Sequence, residues 1–286
     1  VVAGLRDVAR EYCDRVLIGE LNLPVKQLVA YYGTDLNGLQ LPFNFVLLNA
    51  RWTAPVLTQL IATYEAALPA GAWPNWVVGN HDTSRVATRL GAAGARLAAI
   101  LLLTLRGTPT LYYGDELGMA DVPVPPELVQ DPFEKRVPGI GVGRDPERSP
   151  MRWQPGPGAG FTTGTPWLPI GDGAAECNVE RQTKDPRSML SLHRTLLQLR
   201  RQHPALALGS YAGLPVAETC LAFLRQHGAE RILVALNLSE SAQGIPLPPA
   251  LDRGRVLLSS ALDRGGDTIS GSIELRAAEG VIVAVV

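Results

Sequence analysis

With 286 residues, 46% of them apolar and 19% charged, the chain is long enough to bury one large core with a smaller companion and too apolar to stay disordered. Its 26 basic and 27 acidic residues leave a net charge of -1, which excludes recognition of nucleic acid or anionic lipid by bulk electrostatics and leaves small neutral ligands open. No uninterrupted apolar run reaches the roughly 18 residues of a membrane span, so a soluble protein is expected.

In chain order, Val1, Leu5, Val8 and Tyr12 recur near helical spacing, and "RVLIGE" then reads as a buried parallel-type strand. "LPFNFVLL", residues 41–48, is a second strand, followed by a helical stripe of Val56, Leu60, Ile61, Tyr64 and Leu68. "WPNWVVGNHD" gives a third strand ending at Gly79, with Asp82 placed to cap a helix from about Thr83. "ARLAAILLLTL" is apolar all round, as a helix between two layers would be, and "GTPTLYYGDELG" is a fourth strand. Residues 119–180, rich in Pro, Gly and charge, form a long functional loop or lid, and Met189, Leu192, Leu196 and Leu199 mark a helix that Pro204 closes. From about Ala205 short alternating segments separated by turns predict a small antiparallel β domain. The division is therefore 1–204, an α/β unit with a parallel sheet, and 205–286, an antiparallel β-sandwich.

Cys13, Cys177 and Cys220 are scattered and odd in number, which argues for reduced thiols and against a zinc site. The first residues carry no signal-peptide core and no initiator Met, and they start in mid-helix as a fragment or processed product would. The expected location is cytoplasmic.

In a parallel sheet, ligand chemistry gathers at the carboxyl ends of the strands. Those ends carry Glu20, then Asn80, His81 and Asp82, then Asp115 and Glu116. Glu20 and Asp82 at one mouth are the equipment for glycosidic bond hydrolysis, provided that partial burial raises the pKa of the proton donor. Each also has a plain structural reading, Glu20 as a strand-terminal surface acid and Asp82 as a helix cap. "GNHDTSR" adds Asn80, His81 and Arg85, more hydrogen-bonding capacity than a capping turn requires and suited to sugar hydroxyls.

The blocks "DRVLIGELNLP", "VVGNHDTSR", "GTPTLYYGDELGM" and "GRDPERSPMRW" occur in the order found in the α-amylase superfamily, glycoside hydrolase family 13. The chain most resembles its bacterial α-glucosidase and oligo-1,6-glucosidase branch. The resemblance implies the C-terminal half, strands five to eight, of a (β/α)8 TIM barrel followed by a β domain. It implies Glu20 as the general acid/base, Asp82 as the transition-state stabiliser, His81 as a ligand of sugar hydroxyls and Arg85 as a residue shaping the same pocket. Trp153, in "SPMRW", resembles a position on the outer wall of the cleft, where loop packing and sugar stacking are equal alternatives. Asn22 and Ser84 depart from an aromatic residue and a proline common in that branch.

The aspartate nucleophile that the resemblance calls for, at the end of a fourth strand, has no counterpart here. Asp7 and Asp14 belong to a helix and its exit. A retaining mechanism needs that carboxylate roughly 5 to 5.5 Å from the acid. Activity on α-linked glucosides or malto-oligosaccharides is thus expected either with a complementing N-terminal half-barrel or in a self-associated homodimer. In the homodimer, Asp115 or Glu116 of one copy would stand in for the lost carboxylate. A non-catalytic sugar-binding or scaffold remnant is the alternative. No metal or other cofactor is expected.

Overall fold

The computed structural model describes residues 1–286. The first unit runs α1 (Val2–Arg10), β1 (Ile18–Gly19), α2 (Val25–Leu28), β2 (Leu41–Pro42), α3 (Ala54–Ala67), β3 (Asn75–Val77), α4 (Val86–Thr104) and β4 (Thr108–Thr110). β1 pairs parallel with β2 through Ile18↔Leu41, and β3 pairs parallel with β4 through Asn75↔Thr108. A parallel bridge, Asn44↔Trp76, joins the two pairs, so the four strands stand in sequence order with their carboxyl ends on one rim.

The strands are shorter than their apolar runs. "RVLIGE" was expected to be buried, but only Ile18 and Gly19 form a ladder, and Val16 and Ile18 are exposed because β1 lies at the sheet edge. The apolar stripe of α1 is exposed as well. The interior is better covered: the Tyr64 ring of α3 meets Trp76 of β3 edge to face at 5.1 Å, and Tyr32 shares a hydroxyl contact with Tyr64 at 3.1 Å.

α4 is the central helix. Gly91, at φ 70°, breaks it after its first turns, a conformation that costs little only without a Cβ. Beyond the break Leu97 to Thr104 are all buried. They lie between the parallel strands and a second layer, as the all-round apolar sequence suggests. Residues 119–180 hold only short turns and two short helices, α5 (Pro132–Arg136) and α6 (Val179–Lys184). α7 (Met189–Gln202) packs on α4, with Ser188 capping its first turn by accepting from Ser191 N–H, and α8 (Pro204–Ala207) follows.

The second layer holds β5 (Ser210–Leu214), β6 (Cys220–His227), β7 (Glu230–Asn237), β8 (Gln243–Pro246), β9 (Arg253–Ser259), β10 (Thr268–Ser270), β11 (Ser272–Leu275) and β12 (Gly280–Val285). Where a sandwich of two sheets was expected, the strands form one ladder in the order β5-β6-β7-β12-β9-β10-β11-β8. Period-two alternation splits each central strand between two cores. Leu221, Phe223, Ile232, Val234 and Ile282 join the core of α4 and α7, while Cys220, Ala222, Leu233, Ala235 and Val283 face a second core. β5 and β8, at opposite ends of the ladder, both border a cavity of about 130 Å³ in that second core, so the sheet curls over itself.

Two arginines, Arg225 buried and Arg200 partly buried, tie the end of α4 to its neighbours. Arg225 of β6 donates to the carbonyls of Thr104, Gly209 (2.8 Å) and Ser210 (3.0 Å). Arg200 of α7 donates to Leu103 (2.9 Å), Leu105 (3.2 Å) and Gly107. The carbonyls that the end of α4 leaves free are satisfied in this way.

Candidate active site

β1 delivers Glu20 to the strand-end rim, and β3 opens into the turn that carries Asn80, His81 and Asp82. Potential ligand atoms of Glu20, His81 and Asp82 all lie within 4.8 Å of one another. Glu20 and Asp82 border an open cleft of about 460 Å³, with Asn22, Phe45, Leu48, Asn49, Asn80 and Thr83. Only two of its eight lining residues are hydrophobic, so the cleft offers hydrogen bonds and one aromatic edge, the means of holding a sugar. Glu20 is exposed, and the partial burial expected to tune it is not supplied by residues 1–286.

Asp82 does not cap the following helix. α4 starts after Arg85 without a side-chain cap, and Asp121 pins the residues before it: Oδ1 accepts from Arg85 N–H at 2.8 Å and Oδ2 from the Ser84 hydroxyl at 2.5 Å. Asp121 N–H in turn donates to Thr88 Oγ1 at 2.7 Å. Asp82 is left to face the cleft. Its Oδ1 accepts from Arg144 Nη1 (2.9 Å) and Arg148 Nη2 (2.8 Å), and His81 Nε2 lies 3.4 Å from the same oxygen. Asn80 Oδ1 accepts from Asp82 N–H at 3.1 Å and tightens the turn. Arg89 spans the turn from below by donating to the carbonyls of Val78, at its start, and Ser84 (2.8 Å), at its end.

Arg144 is itself held. Asp131, buried, accepts from its Nε at 2.7 Å, and Asp145 Oδ2 accepts from the amides of Gln130 and Asp131. The long loop therefore brings two guanidiniums to Asp82 from a fixed base. The donor atoms of Glu20, His81 and Asp82 are close enough to converge on a metal ion, but all three residues are exposed and the two guanidiniums oppose a cation.

Four expected site residues lie elsewhere. Arg85 is fully buried, donates to Tyr113 O at 2.7 Å, and sits over the Tyr112 and Tyr113 rings at 5.0 and 4.8 Å. It braces the exit of β4 and does not line the cleft. Trp153 is half exposed on the loop, where its N–H donates to Ala159 O, and it also lies outside the cleft lining. Asp115 is packed under the turn, where a Cβ on Gly79 would meet its Oδ2 at 2.6 Å. Burial pushes the Asp115 carboxyl up to about 7 against the pull of Arg85. Glu116 turns back to accept from Gly114 N–H at 2.7 Å. Neither carboxylate is offered to the cleft.

Asp121, Arg89, Arg144 and Arg148 are absent from the sequence-derived set. Arg144 and Arg148 fall inside the block "GRDPERSPMRW", but nothing in their spacing tells which carboxylate they reach.

A parallel α/β unit with carboxylates at its strand ends and an antiparallel sheet behind it is an enzyme-like arrangement that several chemistries share. Residues 1–209 match the family model "Alpha amylase, catalytic domain", and the chain belongs to the alpha-amylase family. It is 35% identical over 254 residues to the salivary alpha-glucosidase of Anopheles gambiae, covering 84% of this chain and 42% of that protein. It is 30% identical over 222 residues to the oligo-1,6-glucosidase of Parageobacillus thermoglucosidasius, covering 69% of this chain and 40% of that protein. Among solved structures, the alpha-glucosyl transfer enzyme XgtA matches all of this chain and 54% of its own at TM-score 0.89 and 31% identity. Trehalulose synthase MutB from Pseudomonas mesoacidophila MX-45 matches all of this chain and 58% of its own at TM-score 0.88 and 27% identity. MutB has been captured with glucose and with its substrate sucrose. The chain thus spans about half the length of the relatives it matches.

Proposed function

We propose that residues 1–286 form the C-terminal half of a (β/α)8 catalytic barrel with its following β domain, and that they supply two of the three carboxylates of a retaining α-glucosidase. The observation that carries this reading is the convergence of Glu20, His81 and Asp82 within 4.8 Å at the carboxyl ends of parallel strands. Glu20 donates a proton to the leaving glycosidic oxygen and later removes one from water. Asp82, held by two guanidiniums, stabilises the positive charge that develops at the anomeric carbon. His81 and Asn80 hold sugar hydroxyls.

The nucleophile belongs on the far side of the anomeric carbon, and a barrel half that continues the sheet beyond β1 and β4 is placed to deliver it. Both edges invite such closure: Val16 and Ile18 at β1, and Leu111 and Tyr113 after β4, are exposed. The exposed stripe of α1 extends that surface. Self-association is the weaker route, since Asp115 is packed against Gly79 under the turn and Glu116 is engaged with Gly114.

The test is hydrolysis of p-nitrophenyl α-glucoside and maltose by this chain, alone and with the preceding barrel half of the same protein. Turnover is expected only in the combination, with the α-anomer of glucose released first. Sugar binding without turnover in the combination would instead favour a binding module.

A further inference from the structure

Asp82 receives all of its side-chain hydrogen bonds at Oδ1, from Arg144 and Arg148, and Oδ2 is left to the cleft. The two arginines are not equivalent. Arg144 links one side chain to another, Asp131 to Asp82. Arg148 uses Nε to donate to the His81 backbone carbonyl at 2.8 Å and Nη2 to donate to Asp82 Oδ1 at 2.8 Å. One planar fork therefore spans the backbone of the turn and the carboxylate that the turn presents.

The base of the fork is fixed too. Arg148 closes a short turn, Pro146–Arg148, whose neighbouring carbonyls accept from two tyrosines of the β4 exit: Glu147 O from Tyr112 Oη (3.2 Å) and Ser149 O from Tyr113 Oη (2.7 Å). Those rings are braced by buried Arg85. A continuous set of contacts thus runs from β4 through the tyrosines and Arg148 to Asp82 and His81.

We propose that Arg148 is a positioning residue for the catalytic turn, setting the orientation of the Asp82 carboxylate through a two-pronged contact to Asp82 and the His81 carbonyl. The assignment rests on the reading of Asp82 given above. A lysine keeps the charge but has one nitrogen for two acceptors at different points, so it cannot reproduce the fork.

The test is a double-mutant cycle of R148K and D82N, assayed with the barrel-completing half present. R148K is expected to lower kcat about tenfold or more with KM changed by less than about threefold, since a misplaced charge stabiliser costs transition-state binding. In the D82N background the same change should cost less than about twofold, because the group that Arg148 acts through is already neutral. An equal penalty in both backgrounds, or an R148K kcat within about twofold of wild type, would overturn the proposal. D82N alone checks the underlying reading: a kcat within about tenfold of wild type means Asp82 is not the stabiliser, whatever Arg148 does. If R148K does not fold, R148A supplies the readout: recovery by methylguanidinium and not by methylammonium supports the fork, and equal response to both overturns it.

Discussion

Asp121 takes the amide of Arg85 at 2.8 Å and the hydroxyl of Ser84, pinning the two residues that lead into α4, while Asp82, which the sequence places as the cap of that helix, makes no capping hydrogen bond to it. The acid nearest the helix start is left to the cleft, and one at the beginning of the long loop holds the lead-in to the helix. The turn that carries Asp82 is thus held at its end by a loop that also delivers Arg144 and Arg148 to its front.

Replacing Asp121 with alanine removes the acceptor of the Arg85 amide and the Ser84 hydroxyl and should destabilise the chain by about 1 to 3 kcal/mol. Because the same contact anchors the turn carrying Asp82, turnover in the completed barrel should fall by more than the stability loss explains. Urea denaturation of D121A, with its midpoint lowered at constant m, checks the first part, and kcat measured well below the unfolding midpoint checks the second.

Asp115 gives a pH signature. Its folded pKa is raised by burial to about 7 from an ordinary 3.8, so the folded state retains a proton that the unfolded state loses between those values. Its contribution to stability is therefore present in full below about pH 3.8 and is lost as pH rises to about 7. Glu147, also pushed up to about 7 by burial, acts in the same direction, while burial lowers His193 to about 4 and opposes both between pH 4 and 6.5. The difference between D115N and wild type isolates one group. The unfolding free energy of D115N minus that of wild type should rise steadily from pH 4 to pH 7, as read from urea titrations at each pH.

Arg225 is buried and donates to three carbonyls, one of them Thr104 at the end of α4. R225M fills much of the same space yet leaves those carbonyls without a donor, and should cost about 2 to 4 kcal/mol. Since the bonds join the antiparallel sheet to the helical layer, hydrogen exchange should quicken at both β6 and the end of α4 in the variant, a coupling that a defect confined to the sheet would not produce.

How much of this was legible in sequence follows the range of each signal. Local periodicity located α3, α4, α7 and the order of the four parallel strands, because the 3.6 and 2 periods are written in neighbouring residues. Strand lengths were overestimated: Val16 and Ile18 look like core residues by composition, yet they border an edge that nothing in this chain covers. Glu20, Asn80 and Asp82 could be placed on one cleft because parallel strands end together. The burial of Arg85 could not be foreseen, since it depends on Tyr112 and Tyr113 folding back from β4. The arginines on Asp82 come from a loop without periodicity, so nothing in its sequence reveals their target. A sandwich and a single curled ladder share the same alternation, and only strand pairing separates them.

The central claim is that Glu20 is the proton donor of an α-glucosidase barrel that a preceding half completes. Its most direct measurement is the rate of p-nitrophenol release from p-nitrophenyl α-glucoside by the completed barrel, with wild-type and E20Q chains compared at equal folded concentration. The account predicts turnover in the wild-type combination and a loss of about a hundredfold or more in E20Q. An E20Q rate within about tenfold of wild type would contradict it.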